Sequence, residues 1–280
     1  MKLTRENIVT PEKDSFRCLS IDQPEFDNHY HYHPEFEITW IVESSGQRII
    51  GDDISQFTKD DLVMIGPHTP HQYKNWEIGK SQARVIQFDR DTVLDAIINF
   101  KEFSAIVKLL NEGDRGYFFS AKTIKHCRKK IEEIFAMEAG PFKVLRFLEL
   151  LTIISEDDTK SPIVSFGYQR PQNHEKLASL KRILDYLDEH WDKDVTSPAV
   201  AAVANMHPQS LSRFFKQHLG ISFQDYLINL RIVKSVHLLL NTERTITDIA
   251  FSCGFNNLSN YYRQFKRFKN SSPGDYRRAT

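Results

Sequence analysis

The chain has 280 residues, 40% hydrophobic and 26% charged, with a formal net charge of zero. That length allows two domains with real cores, and the composition is that of a soluble globular protein, not of a disordered or fibrous one. No apolar run reaches membrane-spanning length. The N-terminus MKLTRENIVTPEKD lacks an apolar signal core, and Cys18, Cys127 and Cys253 include no CxxC pair, so a reducing cytoplasm is the expected location.

The zero net charge hides an asymmetry. Residues 174–280 carry 15 Lys and Arg against 10 Asp and Glu, whereas residues 1–173 carry 22 against 27. A basic C-terminal part beside an acidic N-terminal part fits nucleic-acid binding through the former.

Residues 1–90 predict strands. FEITWIVES, GQRIIGD, DLVMIG and ARVIQFD are β-branched and aromatic, with turn residues between them. Many short strands without intervening helices suggest a sandwich or small barrel. Within this part lie His29-Tyr30-His31-Tyr32-His33-Pro34-Glu35-Phe36-Glu37 and Gly66-Pro67-His68-Thr69-Pro70-His71. On one strand, residues two apart share a face, so His31, His33, Glu35 and Glu37 would point one way unless Pro34 shifts the register.

HxHxxxE followed by a GPxxPH turn resembles the two motifs of the cupins. The resemblance implies that His31, His33, Glu37 and His71 meet inside a barrel, where metal-binding cupins hold one ion. Pro70 replaces the Gly that usually precedes the second motif's His, and Lys59-Asp60-Asp61 replaces its Gly-Asp lead-in. Three readings stay open: a metal centre, a polar lining for a small ligand, or mutually hydrogen-bonded structural histidines. The ligand reading is adopted, with a neutral polyhydroxylated molecule as the expected occupant and Trp40, Tyr73 or Trp76 as possible stacking surfaces. No cofactor or resident metal is assigned.

Helical periods begin after residue 90. Asp91–Glu112, Lys122–Ala139 and Phe142–Ile154 carry apolar residues at three- and four-residue steps, and Gly140-Pro141 separates the last two. Residues 159–173, within EDDTKSPIVSFGYQRPQN, interrupt every period and predict a linker between domains at 1–158 and 174–280.

From His174 the chain predicts helices to its end. Leu177, Leu180, Ile183, Leu184 and Leu187 mark the first. Ser197-Pro198 opens a short helix, His207 caps the next, Gly220 ends it, and a long helix spans 223–241 with Leu240 among its inward residues. Thr247 is expected to cap DIAFSC; Gly254-Phe255 turns the chain; Asn256 or Asn257 caps LSNYYRQFKRF, with Leu258, Tyr261, Tyr262 and Phe265 inward. Arg213-Phe214-Phe215-Lys216 recurs as Arg263-Gln264-Phe265-Lys266, and Ser222-x-x-Asp225-Tyr226 as Ser272-x-x-Asp275-Tyr276, each fifty residues on. Val200-Ala201 recurs as Ile249-Ala250, one residue out of step. Two like helix-turn-helix units with turns differing by one residue follow.

The string IA..CGF.N.S...R.FKR...SP..YR resembles the signature of the AraC/XylS-type bacterial transcription regulators, over about the last hundred residues. The fold class expected is α+β: a cupin-like β-barrel with appended helices, then an all-α domain of two helix-turn-helix units. The resemblance implies a non-enzymatic, effector-responsive regulator of transcription, often an activator of carbohydrate-use genes. Its partners would be double-stranded DNA, a small effector such as a sugar, RNA polymerase and a second copy of the chain, with no membrane. The rival is a metal-dependent cupin enzyme or metallo-sensor fused to a DNA-binding domain. Gln209, Ser212, Ser259 and Asn260 are the candidates for base edges at the starts of the reading helices, Lys216, Lys266 and Arg267 for phosphates, and Asn257 for a further DNA contact. Arg213 and Arg263 suit either bidentate pairing with guanine or a phosphate grip.

Overall fold

Strand and helix periods segregate along the chain, and the fold follows that division. In a computed structural model, which describes residues 4–6, 8–11, 13–26, 30–76, 79–168 and 174–278 (backbone alone at 4, 5 and 174–177), two compact units form, Thr4–Phe166 and Gly167–Thr280. His29, part of the histidine-rich stretch, residues 169–173 of the expected linker, and the Leu177 side chain lie outside what is described.

The first unit contains β1 (Thr4–Arg5), β2 (Arg17–Gln23), β3 (His31–Tyr32), β4 (Phe36–Glu43), β5 (Gly46–Ile50), β6 (Asp53–Phe57), β7 (Leu62–Ile65), β8 (His71–Asn75) and β9 (Ser81–Phe88). There follow α1 (Arg90–Ile97), α2 (Ser104–Glu112), β10 (Tyr117–Phe118), α3 (Ala121–Ala136), α4 (Pro141–Ser155) and β11 (Ser161–Pro162). The strands make two sheets, ordered β1-β3-β8-β5-β6 and β11-β10-β7-β4-β9-β2. Where a barrel was expected, the described strands form two open sheets.

Side-chain alternation gives the six-stranded sheet two different faces. Phe36, Ile38 and Trp40 of β4, with Ile86 and Phe88 of β9, pack against Ile106 and Leu110 of α2, Ile131 and Ile134 of α3, and Phe147 and Leu150 of α4. The helices therefore cover the outer face of their own sheet. Glu37, Thr39 and Ile41 of β4, with Ala83, Val85 and Gln87 of β9, face an interior cavity instead. Burial on both faces explains why β4 reads as a nearly continuous apolar run.

The helix expected over Asp91–Glu112 is two helices. Phe100 takes an extended conformation between α1 and α2, and a 3-10 turn over Lys101–Phe103 restarts the chain. Ile98, expected on the apolar face of that helix, is exposed. Of the stretch expected as linker, Ser161–Pro162 pairs with β10, and Ile163 and Val164 are buried.

The second unit is helical: α5 (His174–His190), α6 (Ser197–Val203), α7 (Pro208–Leu219), α8 (Phe223–Asn241), α9 (Ile246–Ser252), α10 (Leu258–Lys269) and α11 (Pro273–Arg278). α5 buries Leu180, Ile183, Leu184 and Leu187, and α8 buries Tyr226, Leu227, Leu230, Val233, Val236 and Leu239. Leu240 is exposed, while Ile232 and Ser235 are buried in its stead. The inward stripe of α8 is thus rotated slightly from the expected one, because it serves helices on two sides. Its 19 residues span about 28 Å.

Candidate nucleic-acid interface and interior pocket

The pocket is built by both sheets. His31 on β3 stands opposite His71 on β8 in the five-stranded sheet. Glu37 on β4 stands opposite Gln87 on β9 in the six-stranded sheet. Between them the chain crosses at His33-Pro34-Glu35, which belongs to neither sheet. Of the two arrangements left open for His31, His33, Glu35 and Glu37, the structure has the one in which Pro34 interrupts the strand. Pro34 ends strand pairing, the Glu35 carboxylate lies 3.6 Å from His33 Nδ1 on the other side of that ring from Glu37, and His31, His33 and Glu37 meet His71 across the gap between sheets. Ligand atoms of His31, His33, Glu37 and His71 all lie within 4.8 Å of one another.

Hydrogen bonds fix these groups in detail. His33 Nδ1 lies 3.2 Å from the Glu35 carbonyl oxygen and Nε2 lies 3.0 Å from Glu37 Oε2. Both partners accept, so the arrangement favours the protonated ring, which donates from both nitrogens. Burial alone would lower its pKa, but the Glu37 bond and charge, aided by Glu35 and Glu6, outweigh burial and raise it. Glu37 also accepts from Gln87 Nε2 at 2.9 Å and Thr39 Oγ1 at 2.6 Å. Burial would push its carboxyl up, yet the charge of His71 and the His33 bond hold it well below the usual carboxylate range.

His71 is 1% exposed. Its Nδ1 donates to the Thr69 carbonyl at 2.9 Å, while Nε2, 3.7 Å from Glu37 Oε1, has no hydrogen-bond partner among the described residues. The cavity beside these groups measures about 430 Å³, within the range of about 300–1,000 Å³ for ligand pockets. Its far wall comprises Leu19 and Ile21 of β2, with Phe26, Ile41, Ala83 and Val85. Tyr73 lines it, whereas Trp40 packs under the helices and Trp76 is not among its lining residues. β2 was not anticipated, although Leu19 and Ile21 alternate with Ser20 and Asp22. Arg17 ties the strand to the cluster, donating to Glu6 Oε1 at 3.1 Å and Gln87 Oε1 at 3.2 Å.

The helical unit repeats one local structure. The Met206 N–H donates to the Ala201 carbonyl at 2.9 Å, and the Phe255 N–H to the Ala250 carbonyl at 3.2 Å. Asn205 and Gly254 take the positive φ of the two turns, 55° and 76°. After the turn the offset changes from 49 to 50, so Asn256 is the extra residue that the repeat requires. His207 and Asn257 cap α7 and α10; Gly220 and Asn270 end them in the left-handed conformation. Ser222 and Ser272 cap the helices that follow, accepting from the N–H of Asp225 and Asp275 at 3.1 Å.

A methyl group at Gly254 would lie 2.9 Å from the Arg231 guanidinium carbon. Gly254→Ala should therefore lose about 1–2 kcal/mol for the left-handed backbone alone, and more for the displaced Arg231. Thermal unfolding of the intact chain checks this. An unchanged transition would mean that the turn is not strained by a side chain.

Two caps differ from expectation. Thr245, not Thr247, caps α9, accepting from the Asp248 N–H at 3.1 Å, and Thr196 rather than Ser197 caps α6. The earlier cap at Thr245 puts Asp248 at the third helical position, where its carboxylate accepts from the Thr245 hydroxyl at 2.6 Å, and Thr196 accepts from the Ala199 N–H at 3.4 Å. Tyr262, expected inward, is exposed at 39%, because Tyr261 and Phe265 already fill the inward stripe.

The chain matches a protein-family model described as a helix-turn-helix domain over residues 200–279. Residues 200–279 are a helix-turn-helix domain of the AraC type. The HTH-type transcriptional activator RhaS of Enterobacter sp. (strain 638) is 24% identical over 258 residues, covering 88% of this chain and 86% of the relative. RhaS of Escherichia coli O81 (strain ED1a) is 24% identical over 266 residues, covering 91% and 89%. Among solved structures, the C-terminal domain of AraT, a response regulator from Geobacillus stearothermophilus, is 37% identical over 36% of this chain and 85% of that one, with a TM-score of 0.35.

Within the AraC-type domain, Gln209, Ser212, Arg213 and Lys216 are exposed along α7, and Ser259, Arg263, Lys266 and Arg267 along α10. The Asn257 side chain is engaged in capping, accepting from the Asn260 N–H at 2.7 Å. Asn260 Oδ1 in turn accepts from Arg263 Nη2 at 2.9 Å. Arg267 donates to Asp225 Oδ1 at 2.6 Å, which ties α10 to the start of α8. Lys216 and Lys266 have no ion-pair partner among the described residues.

Proposed function

We propose that the chain is a sequence-specific DNA-binding regulator of transcription whose first unit binds a small effector. One observation carries the DNA reading: two helices with matched caps, turns and inward stripes each leave polar residues exposed at the start and basic ones further on. Gln209, Ser212, Ser259 and Asn260 then serve base edges. Lys216 and Lys266 serve phosphates, with Arg267 joining them by exchanging Asp225 for phosphate. One chain thus engages two successive major grooves through α7 and α10. RNA polymerase and a second copy of the chain complete the assembly. Phe142 and Leu145 of α4, 76% and 59% exposed, are the residues offered to that second copy. The effector acts only through different affinities for two states of the regulator.

Binding of the full chain to selected genomic duplex, over a salt series, tests this. If Lys216, Lys266 and Arg267 each neutralise a phosphate, log affinity should fall against log salt with a slope of about −3 or steeper. Sedimentation of the same samples, with and without Phe142→Ser, reads the oligomeric state. Equal affinity for selected and random duplex would defeat the DNA assignment, and a monomer throughout would defeat the pairing.

A second reading of the pocket is favoured by one observation, the gathering of three imidazoles and a carboxylate within 4.8 Å. Such a donor set suits a divalent transition metal. Elemental analysis of the purified protein separates a metallo-sensor or enzyme from a metal-free effector pocket.

A further inference from the structure

The cavity is polarised along its strands. On β4 the residues facing it run Glu37, Thr39, Ile41, and their partners on β9 run Gln87, Val85, Ala83. On β2, Leu19 and Ile21 continue the second and third rows. The rows therefore pass from carboxylate and amide to wholly apolar within four residues, roughly 13 Å of strand. Phe26, Ile41, Ala83 and Val85 form a cluster of their own with Phe57, closed by Leu19, Ile21 and Tyr73 and separate from the core under the helices.

The polar end has an unmet requirement. Nδ1 of His71 donates to Thr69, and Nε2, buried and without a hydrogen-bond partner among the described residues, stands 3.7 Å from Glu37 Oε1 at this end of the cavity. A head group set between the two atoms reaches both: a hydroxyl or amine donates to the carboxylate and pairs with the imidazole nitrogen through its other hydrogen or lone pair. We propose that the effector is an amphipathic small molecule. Its hydroxyl or amine head sits between His71 Nε2 and Glu37 Oε1, hydrogen-bonded to both, and its apolar body lies over Leu19, Ile21, Phe26 and Ile41. This rests on the pocket being the effector site. A polyhydroxylated molecule fits the lining poorly, because beyond Thr39 the Tyr73 hydroxyl alone among the lining side chains could pair with it, and its other far hydroxyls would be buried against carbon. A carboxylate head fits less well than a donor, because it brings no proton to Glu37 Oε1 and adds a third carboxylate beside Glu37 and Glu6, whose partners His33 and Arg17 are already engaged.

Calorimetry on the full-length protein with phenylbutanol, phenylbutylamine, phenylbutyrate and xylose tests the class. The alcohol or the amine should bind at millimolar concentration or below, and which of them binds tighter identifies the head. Phenylbutyrate should bind about tenfold or more weakly, and xylose not at all. Leu19→Asn and Ile21→Ser, each checked by its melting transition, should weaken the alcohol and amine by about tenfold. Failure of both the alcohol and the amine to bind overturns the proposal. So does xylose binding that Ile21→Ser abolishes, although that result keeps the pocket as the effector site. Binding indifferent to both substitutions overturns the pocket reading itself. A stoichiometric transition metal in the purified protein, released by His71→Gln, overturns the donor head and places an ion there.

Discussion

Replacing Arg263 by alanine should weaken binding to the selected duplex by about 1–3 kcal/mol, roughly ten- to a hundredfold, and flatten preference at one base pair. The size of the effect follows from preorganisation. The helix carrying Arg263 is fixed at its start by the Asn257 cap and at its end by Asn270 in the left-handed conformation. The guanidinium is held by Asn260 Oδ1 at 2.9 Å before any DNA arrives. A fork preset at one height above the helix suits bidentate recognition of guanine, and little side-chain entropy remains to be lost. Lys266 lies three residues further along the same exposed face, with a flexible stem and no such partner. Lys266→Ala should weaken all sequences alike and lower the salt slope by about one. Competition binding against single-base variants measures both. If the two substitutions cause equal losses on every sequence, Arg263 grips phosphate and the base reading passes to Ser259 and Gln209.

Legibility differed between the units for a physical reason. The helix-turn-helix pairs are specified locally: a cap, an apolar stripe and a positive-φ residue sit within one short stretch, so Gly254, Ser222 and the fifty-residue repeat could be read directly. The errors there are small shifts, Thr247 for Thr245 and Tyr262 turned inward, where neighbouring residues of like chemistry compete. The pocket is specified by pairing between distant strands. Nothing near Gln87 announces Glu37, and the alternation of Leu19 and Ile21 gives no hint of the cavity. His31, His33, Glu37 and His71 come together, as the resemblance to the cupin motifs implied, but not by sharing the face of one strand. They meet because Pro34 breaks the strand and sends the chain from one sheet to the other. The split of the helix over Asp91–Glu112 was hidden because apolar spacing persists on both sides of Phe100.

His33→Ala should destabilise the first unit by about 3–5 kcal/mol, the usual loss when one partner of a buried ion pair is removed. Glu37 is 4% exposed and would keep its charge with only Gln87, Thr39 and the more distant His71 to balance it. Glu37→Gln removes the charge instead and keeps the shape, so the double variant should lose less than the two single losses combined. The pH dependence gives the sign independently. The Glu37 carboxyl is held below its ordinary range, so its contribution is complete above the unfolded value, about pH 4.3, and fades as pH falls through the folded value. His33 is raised, so its contribution is complete below the unfolded value, about pH 6.5, and fades as pH rises through the folded value. Stability of this unit should therefore be greatest between those limits and decline on both sides, and Glu37→Gln should flatten the profile. Urea unfolding followed through Trp40, which lies in this unit's core, reads it. Profiles of the same shape for the wild-type chain and Glu37→Gln would show that the cluster is not an ion pair, and the pocket's donors and acceptors would have to be reassigned.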